Sequence, residues 1–577
     1  MKPVQTFFFR HSIILPDKAR ACFSHMSSDR KQILDSEVAK FSHRMRHNVS
    51  KVSSSLLTET FKKCRELLSK SENKRLDFDN SISLSDDDYF NLTGISKDQF
   101  DYICSMINGL RNSKYSVRTT IGVLLTKLRT GLSSCLLKTM FNVKCNNYIC
   151  KIVRRAREAL MKDFVPKYMG FDHITREAVI ENHTTVFARE LLASGDDNTA
   201  ILLIDGTYIY IEKSGKYAFQ RKSYSVYKGR PLVKPMLIVA SDGYIINILG
   251  PYLANGKNND AAILNKHLSK KQCNNILKWS QSNDVLVLDR GFRDSLDLID
   301  SLNLRSESPS FLGKGQKQHT EAEANTSRLV TKIRWAVESA NGRLKRWRFL
   351  ANVVTNTQIP FIGDYVRIVG SIINAFRPSL ASDSDKDIEI SQKMLEKSKL
   401  VINPLKEMFV KSGKRILSNK MKKMDASDAL PGFPVLTEEY LRSLTFGIYQ
   451  LKQAKSYSRE HINEKGGYEI YVSQTSPDII QGKIQSRHVS SKMYYLWIQY
   501  DGKDKEDPIK YWYCQCKSGA RMVGSCAHVA SLLWFIGVQR HENDVSSQII
   551  PDNILDCETS SVTDFSSASD EYDSSSH

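Results

Sequence analysis

The chain lacks any apolar run long enough to cross a membrane. A transmembrane helix needs about 20 consecutive apolar residues, and no stretch of the 577-residue sequence approaches that length. The start of the chain briefly resembles a secretion signal, but Arg10 and His11 interrupt its apolar run after Phe9. We therefore expect neither a membrane-spanning nor a secreted protein.

Cysteine is sparse and unevenly placed. The sequence has 11 cysteines, an odd number without the regular spacing of a disulfide framework. Only Cys514, Cys516 and Cys526 lie close together. This usage favours a reducing compartment, in which clustered thiols bind metal.

Acidic residues are too few to balance the basic ones. The sequence has 83 Lys and Arg against 63 Asp and Glu, a formal net charge of +20. Residues 551–577 run against this trend, with seven Asp or Glu and no Lys or Arg. The excess favours a polyanionic partner such as nucleic acid, although a merely soluble basic protein would show it too. An intracellular protein with a DNA partner is expected in the nucleus, or in a cell without one.

A chain of this length is too long for one ordinary domain. Composition and periodicity predict a weakly ordered basic N-terminus at 1–80, a helical domain at 82–172, an α/β domain at 200–375, a basic helical linker at 376–436, a small α+β module at 437–540 and a disordered acidic, Ser-rich tail at 551–577. The helical domain, the α/β domain and the small module carry the motifs that bear on function.

The domain at 82–172 has the pattern of a helix-turn-helix. Periodicity predicts helices at 117–130, 135–141 and 146–162, with a turn between the last two. The last helix combines an apolar stripe with a basic remainder that includes Lys151, Arg154, Arg155 and Arg157. In a helix-turn-helix such a helix lies in the major groove, so we predict that these four residues bind DNA. The alternative is a helical hairpin whose basic face is only solvated.

Residues 200–350 change to short apolar stretches separated by turns. The pattern predicts strands at 201–212, 217–227, 232–240, 244–253 and 284–290. It also predicts helices near 260–270, 292–302 and 326–347. Strands and helices mixed in this way indicate an α/β sheet domain.

Two aspartates follow apolar runs that have the character of buried neighbouring strands. Asp205 ends the run 201–204, and Asp289 ends the run 285–288. Two carboxylates brought together repel each other unless cations lie between them. Paired acids at strand ends can hold two divalent cations, which clamp the attacking and leaving oxygens of a phosphodiester. The alternative for each aspartate alone is a structural role at a turn.

A third carboxylate, Glu338, lies within a strongly basic helical pattern. Arg334 precedes it by one helical turn, and Asn341, Leu344 and Lys345 follow on nearby positions. A carboxylate that faces the sheet beside basic groups able to hold phosphate would complete the metal site. The alternative is an ordinary Arg334–Glu338 helix pair.

A fourth motif lies in the C-terminal module. Cys514, Cys516, Cys526 and His528 have the spacing C-x-C-x9-C-x-H. Three thiolates and one imidazole form a complete tetrahedral set for a structural Zn²⁺ ion. Because all four positions come from the protein, no open position remains for a reactive water.

Three groups of residues together resemble the DDE superfamily endonucleases, specifically transposases of the PIF/Harbinger type. They are Asp205-Gly206-Thr207, Leu288-Asp289-Arg290-Gly291-Phe292, and Arg334-Trp335-Ala336-Val337-Glu338 with Gly342-Arg343-Leu344-Lys345 after it. The resemblance covers roughly 200–375, and 82–165 is similar to the helix-turn-helix that precedes such domains. Arg290 departs from the family pattern, which often has Ser or Ala after the acid.

The resemblance implies a ribonuclease H-like fold in which Asp205, Asp289 and Glu338 bind two Mg²⁺ or Mn²⁺ ions. It implies DNA cleavage by activated water, followed by strand transfer through a DNA 3′-hydroxyl. Asn259-Asp260-Ala261 matches a further acidic position of these domains, which makes Asp260 a supporting residue, unless it caps the helix that follows. The basic residues near Glu338 are expected to bind DNA: Arg334, Arg343 and Lys345. The C-terminal motif resembles a SWIM zinc finger, which implies binding of DNA or protein rather than catalysis.

The combined expectation is a DNA transposase with a helix-turn-helix domain, a DDE nuclease domain and a SWIM zinc finger. Its expected partners are double-stranded DNA at transposon ends and target sites, a second copy of the chain, and a second protein from the element or the host. The alternative is a domesticated, transposase-derived protein that binds DNA or regulates without catalysis.

Overall fold

The computed structural model describes the chain from residue 76 onwards with interruptions. The described residues are 76–80, 83–110, 115–269, 275–411, 421–424, 432–463, 469–473, 476–486, 489 and 491–541, with a few helical positions between 58 and 65. Most of the predicted N-terminal segment and the whole acidic tail lie outside them. The chain divides into two compact units, one formed by 1–85 and 133–151, the other by 86–132 and 152–577.

Helices dominate the described N-terminal half, and those predicted at 117–130, 135–141 and 146–162 are among them. The helices are α1 (Asp86–Thr93), α2 (Lys97–Met106), α3 (Val117–Thr130), α4 (Ser134–Met140), α5 (Asn146–Asp163), α6 (Arg176–His183) and α7 (Val186–Ala193). Gly131 ends α3 in the left-handed conformation (φ 71°), which glycine adopts without strain. In α5 the predicted apolar stripe is buried, because Ile149, Ile152, Ala156 and Leu160 are each at most 3% exposed.

A mixed sheet forms the centre of the second unit. Its strands are β1 (Ile201–Gly206), β2 (Ile209–Tyr210), β3 (Tyr224–Ser225), β4 (Arg230–Val239), β5 (Ile245–Leu253), β6 (Val285–Val287) and β7 (Arg305–Glu307). β4 pairs antiparallel with both β1 and β5, whereas β6 pairs parallel with β1 and with β7. The expectation that the strands before Asp205 and Asp289 are neighbours is therefore confirmed.

Both faces of this sheet are covered, which explains the unbroken apolar runs. Leu202 and Ile204 of β1 pack in one core cluster with Ile263 and Leu264. Those two residues belong to α9 (Asp260–Leu268). The other helices from there to residue 376 are α10 (Asn275–Trp279), α11 (Leu296–Ser301), α12 (Glu321–Lys345), α13 (Arg348–Ala351) and α14 (Ile362–Phe376).

One predicted strand is wrong. Residues 217–227 form helix α8 (Tyr217–Ser223) and only then the two-residue strand β3. The aromatic residues in this segment suggested a strand, but their burial does not alternate as a half-buried strand requires. Tyr217 is 94% exposed, so no sheet face selects a strand over a helix there.

Helix α12 begins earlier than predicted, at Glu321 rather than 326. Thr320 caps it in a reciprocal capping box with Glu323, a Thr-x-x-Glu signature that places a helix start. The helix is 25 residues long and packs against β1 and β4. The predicted helix at 292–302 is instead a 3-10 turn over Arg290–Ser295 followed by α11.

Contrary to the expectation from the sequence, the stretch Asn356–Phe376 is long and apolar enough to cross a membrane, but half of it is buried inside the protein. Two of its polar residues hydrogen bond to strand β5. Asn374 accepts from the N–H of Ile245 and donates to its carbonyl. Arg367 donates to the carbonyls of Ile248 and Gly250. These contacts identify it as a core helix.

The C-terminal part adds α15 (Asp387–Ser398), α16 (Pro404–Lys406) and a second sheet. This sheet is antiparallel throughout, in the order β12 (Ile509–Cys514), β11 (Met493–Tyr500), β10 (Ile479–Gln485), β9 (Glu469–Ser473) and β8 (Met421–Met424). Helices α17 (Glu438–Thr445), α18 (Ile448–Asn463) and α19 (Ala527–Gly537) share a core with it.

Candidate active site and cysteine–histidine cluster

The parallel pairing of β1 with β6 brings the two aspartates together. Leu203 lies opposite Val287 in the register, and each strand reaches its aspartate two residues later. Asp205 and Asp289 therefore emerge at the same edge of the sheet, on adjacent strands. The side chain of Asp289 accepts a hydrogen bond from the N–H of Arg290 at 2.7 Å, which fixes the turn after β6.

Helix α12 brings Glu338 to this edge. One turn later on the same helix, Nδ2 of Asn341 donates to Oδ2 of Asp205 at 2.8 Å. The guanidinium of Arg334 hydrogen bonds to Glu338 and lies 3.7 Å from Oδ1 of Asp289. Arg334 thus pairs with Glu338, as the alternative interpretation required, but the pair is part of the acid site rather than an isolated feature of the helix surface.

Asp260 belongs to the same cluster. Nζ of Lys234 donates to its Oδ1 at 2.9 Å. A Cβ on Gly206 would lie 3.1 Å from the same oxygen, so the carboxylate contacts the residue directly after Asp205. The capping alternative is wrong, because Asn259 caps α9 by accepting from the N–H of Ala262.

Carboxylates outnumber basic side chains in this cluster. Burial raises the pKa of Asp205 to about 7, Arg334 opposes this, and Asp289, Asp260 and Glu338 add to it. Four carboxylates face two positive side chains, Arg334 and Lys234, so the cluster carries excess negative charge. Among the described residues, Oδ1 of Asn341 is also buried without a hydrogen-bond partner.

This donor set fits hard divalent cations, which take carboxylate and amide oxygens as ligands. The carboxylates are spread around Arg334 rather than gathered at a point. Across the described parts of the chain, only the cysteine–histidine cluster has three or more ligand atoms within 4.8 Å of one another. In this arrangement the guanidinium provides positive charge among the acids.

The other two residues of α12 predicted to bind DNA, Arg343 and Lys345, follow Glu338 in the last two turns of the helix. Lys345 donates a hydrogen bond to the carbonyl of Tyr208, and burial together with nearby Lys228 lowers its pKa to about 8. Burial and the neighbouring Arg346 and Arg377 lower the pKa of Arg343.

The four basic residues predicted to bind DNA on α5 divide into two groups. Lys151, Arg154 and Arg155 are exposed. Arg157 is only 6% exposed; its Nε lies 3.2 Å from Asp364 and its guanidinium lies 3.8 Å from the ring centre of Phe361. The structure therefore places Arg157 in the core, where it fixes α5 to the start of α14.

The four predicted zinc ligands come together at the end of β12 and the start of α19. Their ligand atoms all lie within 4.8 Å of one another. Nδ1 of His528 is 3.8 Å from Sγ of Cys514 and 3.9 Å from Sγ of Cys526. A tetrahedral zinc ion places sulfur and nitrogen ligands about 3.6 Å apart. Shared hydrogen bonds with Cys514 and Cys516 lower the pKa of Cys526 well below its usual value, whereas burial raises the pKa of Cys514 well above its usual value.

The turn that follows the second ligand, Cys516, is tightly closed. The N–H of Cys514 donates to the carbonyl of Gly519 at 3.1 Å, and the N–H of Gly519 donates to the carbonyl of Cys516 at 3.0 Å. A Cβ at position 519 would lie 2.1 Å from the carbonyl oxygen of Cys514. Only glycine fits there.

This loop is attached to the segment that leads into α12. Nε2 of Gln318 donates to the carbonyls of Cys514 and Cys516, both at 2.7 Å. On α12 itself, Oδ1 of the fully buried Asn325 accepts from the N–H groups of Met522 and Val523 at 2.8 and 3.2 Å. The helix that carries Glu338 is thus hydrogen bonded to the cysteine–histidine module. None of these contacts was expected from the sequence.

One known protein family matches part of the chain. The family described as DDE superfamily endonuclease matches residues 204–374, a range that contains Asp205, Asp260, Asp289 and Glu338. No curated protein and no solved structure matches the chain. The matched region, about 30% of the chain, is therefore similar to the DDE superfamily endonucleases.

Proposed function

We propose that the chain is a DNA transposase of the PIF/Harbinger type, in which a ribonuclease H-like domain cuts transposon ends and joins them to target DNA. The observation that carries the proposal is the parallel pairing of β1 and β6, which sets Asp205 beside Asp289. The match to DDE superfamily endonucleases over the same residues supports it.

The proposed ligands of two Mg²⁺ or Mn²⁺ ions are Asp205, Asp289 and Glu338, with Asp260 in support. When bound, such ions activate water and stabilise the attacking and leaving oxygens of a phosphodiester. Asn341 holds the carboxylate of Asp205 in position, and Lys234 holds that of Asp260. Arg334 lies between Glu338 and Asp289. Once cations bind these two carboxylates, its guanidinium would be able to bind a DNA phosphate instead.

DNA binding is proposed for the exposed Lys151, Arg154 and Arg155 of the helix-turn-helix, and for Arg343 and Lys345 beside the acids. Arg157 is left out because Asp364 and Phe361 already enclose it. The proposed partners are double-stranded DNA, a second copy of the chain and a second protein of the element or host. The proposed location is the nucleus.

The cysteine–histidine cluster is proposed to bind one structural Zn²⁺ ion as a SWIM-type finger. The sulfur-to-nitrogen distances and the closed loop at Gly519 support a four-ligand site without an open position. Asn325 of α12 and Gln318, just before this helix, attach the finger to the proposed nuclease domain.

The proposal is tested by excision of a marker flanked by the DNA that borders the gene, with full-length protein and Mg²⁺ or Mn²⁺. We expect cleavage that Asp289→Asn abolishes without loss of DNA binding. Asp297→Asn, an exposed aspartate of α11, is the matched control and should cleave normally. Cleavage by Asp289→Asn would overturn the metal mechanism. DNA binding without cleavage by the unmodified protein would favour the domesticated, regulatory alternative.

A further inference from the structure

The segment between β2 and β4 has an unusual composition. Residues 213–230, here called the basic–aromatic segment, contain six basic residues, four aromatic residues and no acid. The basic residues are Lys213, Lys216, Arg221, Lys222, Lys228 and Arg230. A local excess of positive charge with no compensating carboxylate in the segment attracts a polyanion.

Three of the four aromatic residues of this segment are exposed, and the fourth, Phe219, is half-buried. Tyr217 is 94% exposed, Tyr227 49% and Tyr224 37%, and the aliphatic Val226 between the last two is 89% exposed. Every basic residue except the half-buried Lys228 is also exposed. Clustered exposed apolar groups mark interaction sites, and aromatic rings among cations are the composition of single-strand nucleic-acid surfaces.

A continuous set of contacts joins this segment to the acid cluster. Glu338, Asn341 and Lys345 lie three and four residues apart and so share one face of α12. Asn341 contacts Asp205, and Lys345 contacts the carbonyl of Tyr208. The polar face of the helix therefore leads from the acids to the start of β2.

From there the contacts continue into the segment itself. Nζ of Lys228 lies 5.3 Å from the ring centre of Tyr208, and the guanidinium of Arg230 lies 4.2 Å from that of Tyr210. Seven residues of helix separate Glu338 from Lys345, a rise of about 10 Å. That length corresponds to about three nucleotide steps of a DNA strand, so a strand with one phosphate at the acids reaches the segment within a few nucleotides.

We propose that the basic–aromatic segment binds the DNA strand that leaves the acid cluster, with Lys345, Lys228 and Arg230 on its phosphates and Tyr217 and Tyr224 stacked on unpaired bases. The inference rests on the proposed nuclease function and adds a contact surface for the strand end. An acidic protein would satisfy the charges, but it would not use rings next to cations for stacking.

The test compares two labelled DNA probes by fluorescence anisotropy with the full-length protein. One probe is a blunt duplex, and the other is the same duplex with a short unpaired end. We expect tighter binding of the unpaired end. Tyr217→Ala with Tyr224→Ala should weaken that binding at least about 30-fold, since stacking contributes about 1–3 kcal/mol for each of the two bases, and should leave the blunt duplex unaffected.

Three controls separate stacking from other effects. Tyr217→Phe with Tyr224→Phe keeps both rings and should bind as the unmodified protein does. Tyr511→Ala removes a ring of comparable exposure, 38%, from β12 and should change nothing. Arg230→Gln should weaken both probes and lower the slope of log affinity against log salt by about 1.

Each result decides the inference. Equal binding of both probes by the alanine pair and the unmodified protein would overturn it, as would competition by polyglutamate as strong as that by DNA. Ring-dependent binding without Asp289-dependent cleavage would support this surface while overturning the proposed nuclease function. Asp289-dependent cleavage without any effect of the rings on binding would support the proposed nuclease function and overturn this surface.

Discussion

Nδ2 of Asn341 donates a hydrogen bond to Oδ2 of Asp205 at 2.8 Å. The other side-chain atom of Asn341, Oδ1, is buried without a hydrogen-bond partner among the described residues. One amide therefore positions a carboxylate and presents an unused acceptor beside the acids, where a cation or a metal-bound water would satisfy it.

Asn341→Ala should impair metal binding more than folding. Loss of the hydrogen bond frees the Asp205 carboxylate, and groups that orient metal ligands typically contribute 10–100-fold to affinity. Titration of Mn²⁺ by calorimetry should show weaker binding at unchanged melting temperature, while Asn341→Gln should restore part of the loss. Unchanged Mn²⁺ affinity in Asn341→Ala would exclude this role.

Asp205→Asn should stabilise the metal-free protein while it abolishes cleavage. Because the folded-state pKa of about 7 exceeds the model-peptide value, the folded protein holds a proton on Asp205 that the unfolded chain has lost. Stability from this group is therefore present below about pH 4 and declines towards pH 7. The substitution removes that decline and should raise the free energy of unfolding at neutral pH by about 1–3 kcal/mol.

Asp284→Asn is the matched control for this measurement. Asp284 precedes β6, is fully buried, and pairs with Arg176 at 2.7 Å while accepting from the N–H of Ala200. Its replacement leaves Arg176 buried without its counter-ion and should cost about 3–5 kcal/mol. Chemical denaturation of both variants between pH 5 and 8 gives the comparison. A destabilised Asp205→Asn protein would contradict the charge excess at the site.

Arg334→Gln should tighten Mn²⁺ binding and destabilise the metal-free protein. The guanidinium compensates Glu338 and Asp289 when no cation is present, so its removal increases repulsion among the acids. The substitution also removes the guanidinium that competes with Mn²⁺ for the carboxylates of Glu338 and Asp289. Calorimetric affinity and melting temperature should move in opposite directions, and a weaker Mn²⁺ affinity would show that Arg334 supports the ligands.

Metal affinity should also depend on pH in the range where Asp205 titrates. A ligand must be deprotonated to bind a cation, and the pKa of Asp205 lies at about 7. Mn²⁺ affinity should therefore rise between pH 6 and 8, with proton release that differs between buffers of different ionisation enthalpy. The same affinity across this range would place Asp205 outside the ligand set.

Removal of zinc should loosen α12. A zinc-selective soft-donor chelator, or Cys526→Ser, releases the loop that Gln318 and Asn325 hold. Hydrogen exchange across 321–345 should become faster, with zinc release measured by a colorimetric dye. Cys150→Ser, at an exposed free thiol, is the control. Retained protection in zinc-free protein would separate the module from the helix.

The parts of the site that depend on strand order could be predicted from the sequence. Unbroken apolar runs before Asp205 and Asp289 indicate strands covered on both faces, and two such strands in one sheet have few arrangements. Local signals were also sufficient for α3 and its glycine stop. The helix at 217–223 could not be predicted from periodicity. Whether this segment pairs with a sheet depends on its neighbours in the folded protein, and there it has no sheet partner.

The parts of the site that could not be predicted depend on contacts between residues far apart in the sequence. Lys234 reaches the site from β4, and Asn341 reaches it from α12. Neither residue belongs to a recognisable motif, although Asn341 lies one turn after Glu338. Gln318 lies 196 residues before Cys514, whose carbonyl it contacts. Asp260 matched a pattern, but only the structure shows that Asn259 is the cap.

The attachment of α12 to the C-terminal module limits how this protein can be shortened or recombined. A chain ended near 375, where the family match stops, would keep Asn325 and Arg328 but remove the backbone groups they bond. Each buried polar group left in this way costs about 1–3 kcal/mol. Exchange of zinc modules between related proteins would therefore need compatible residues on α12, so the two regions are expected to change together.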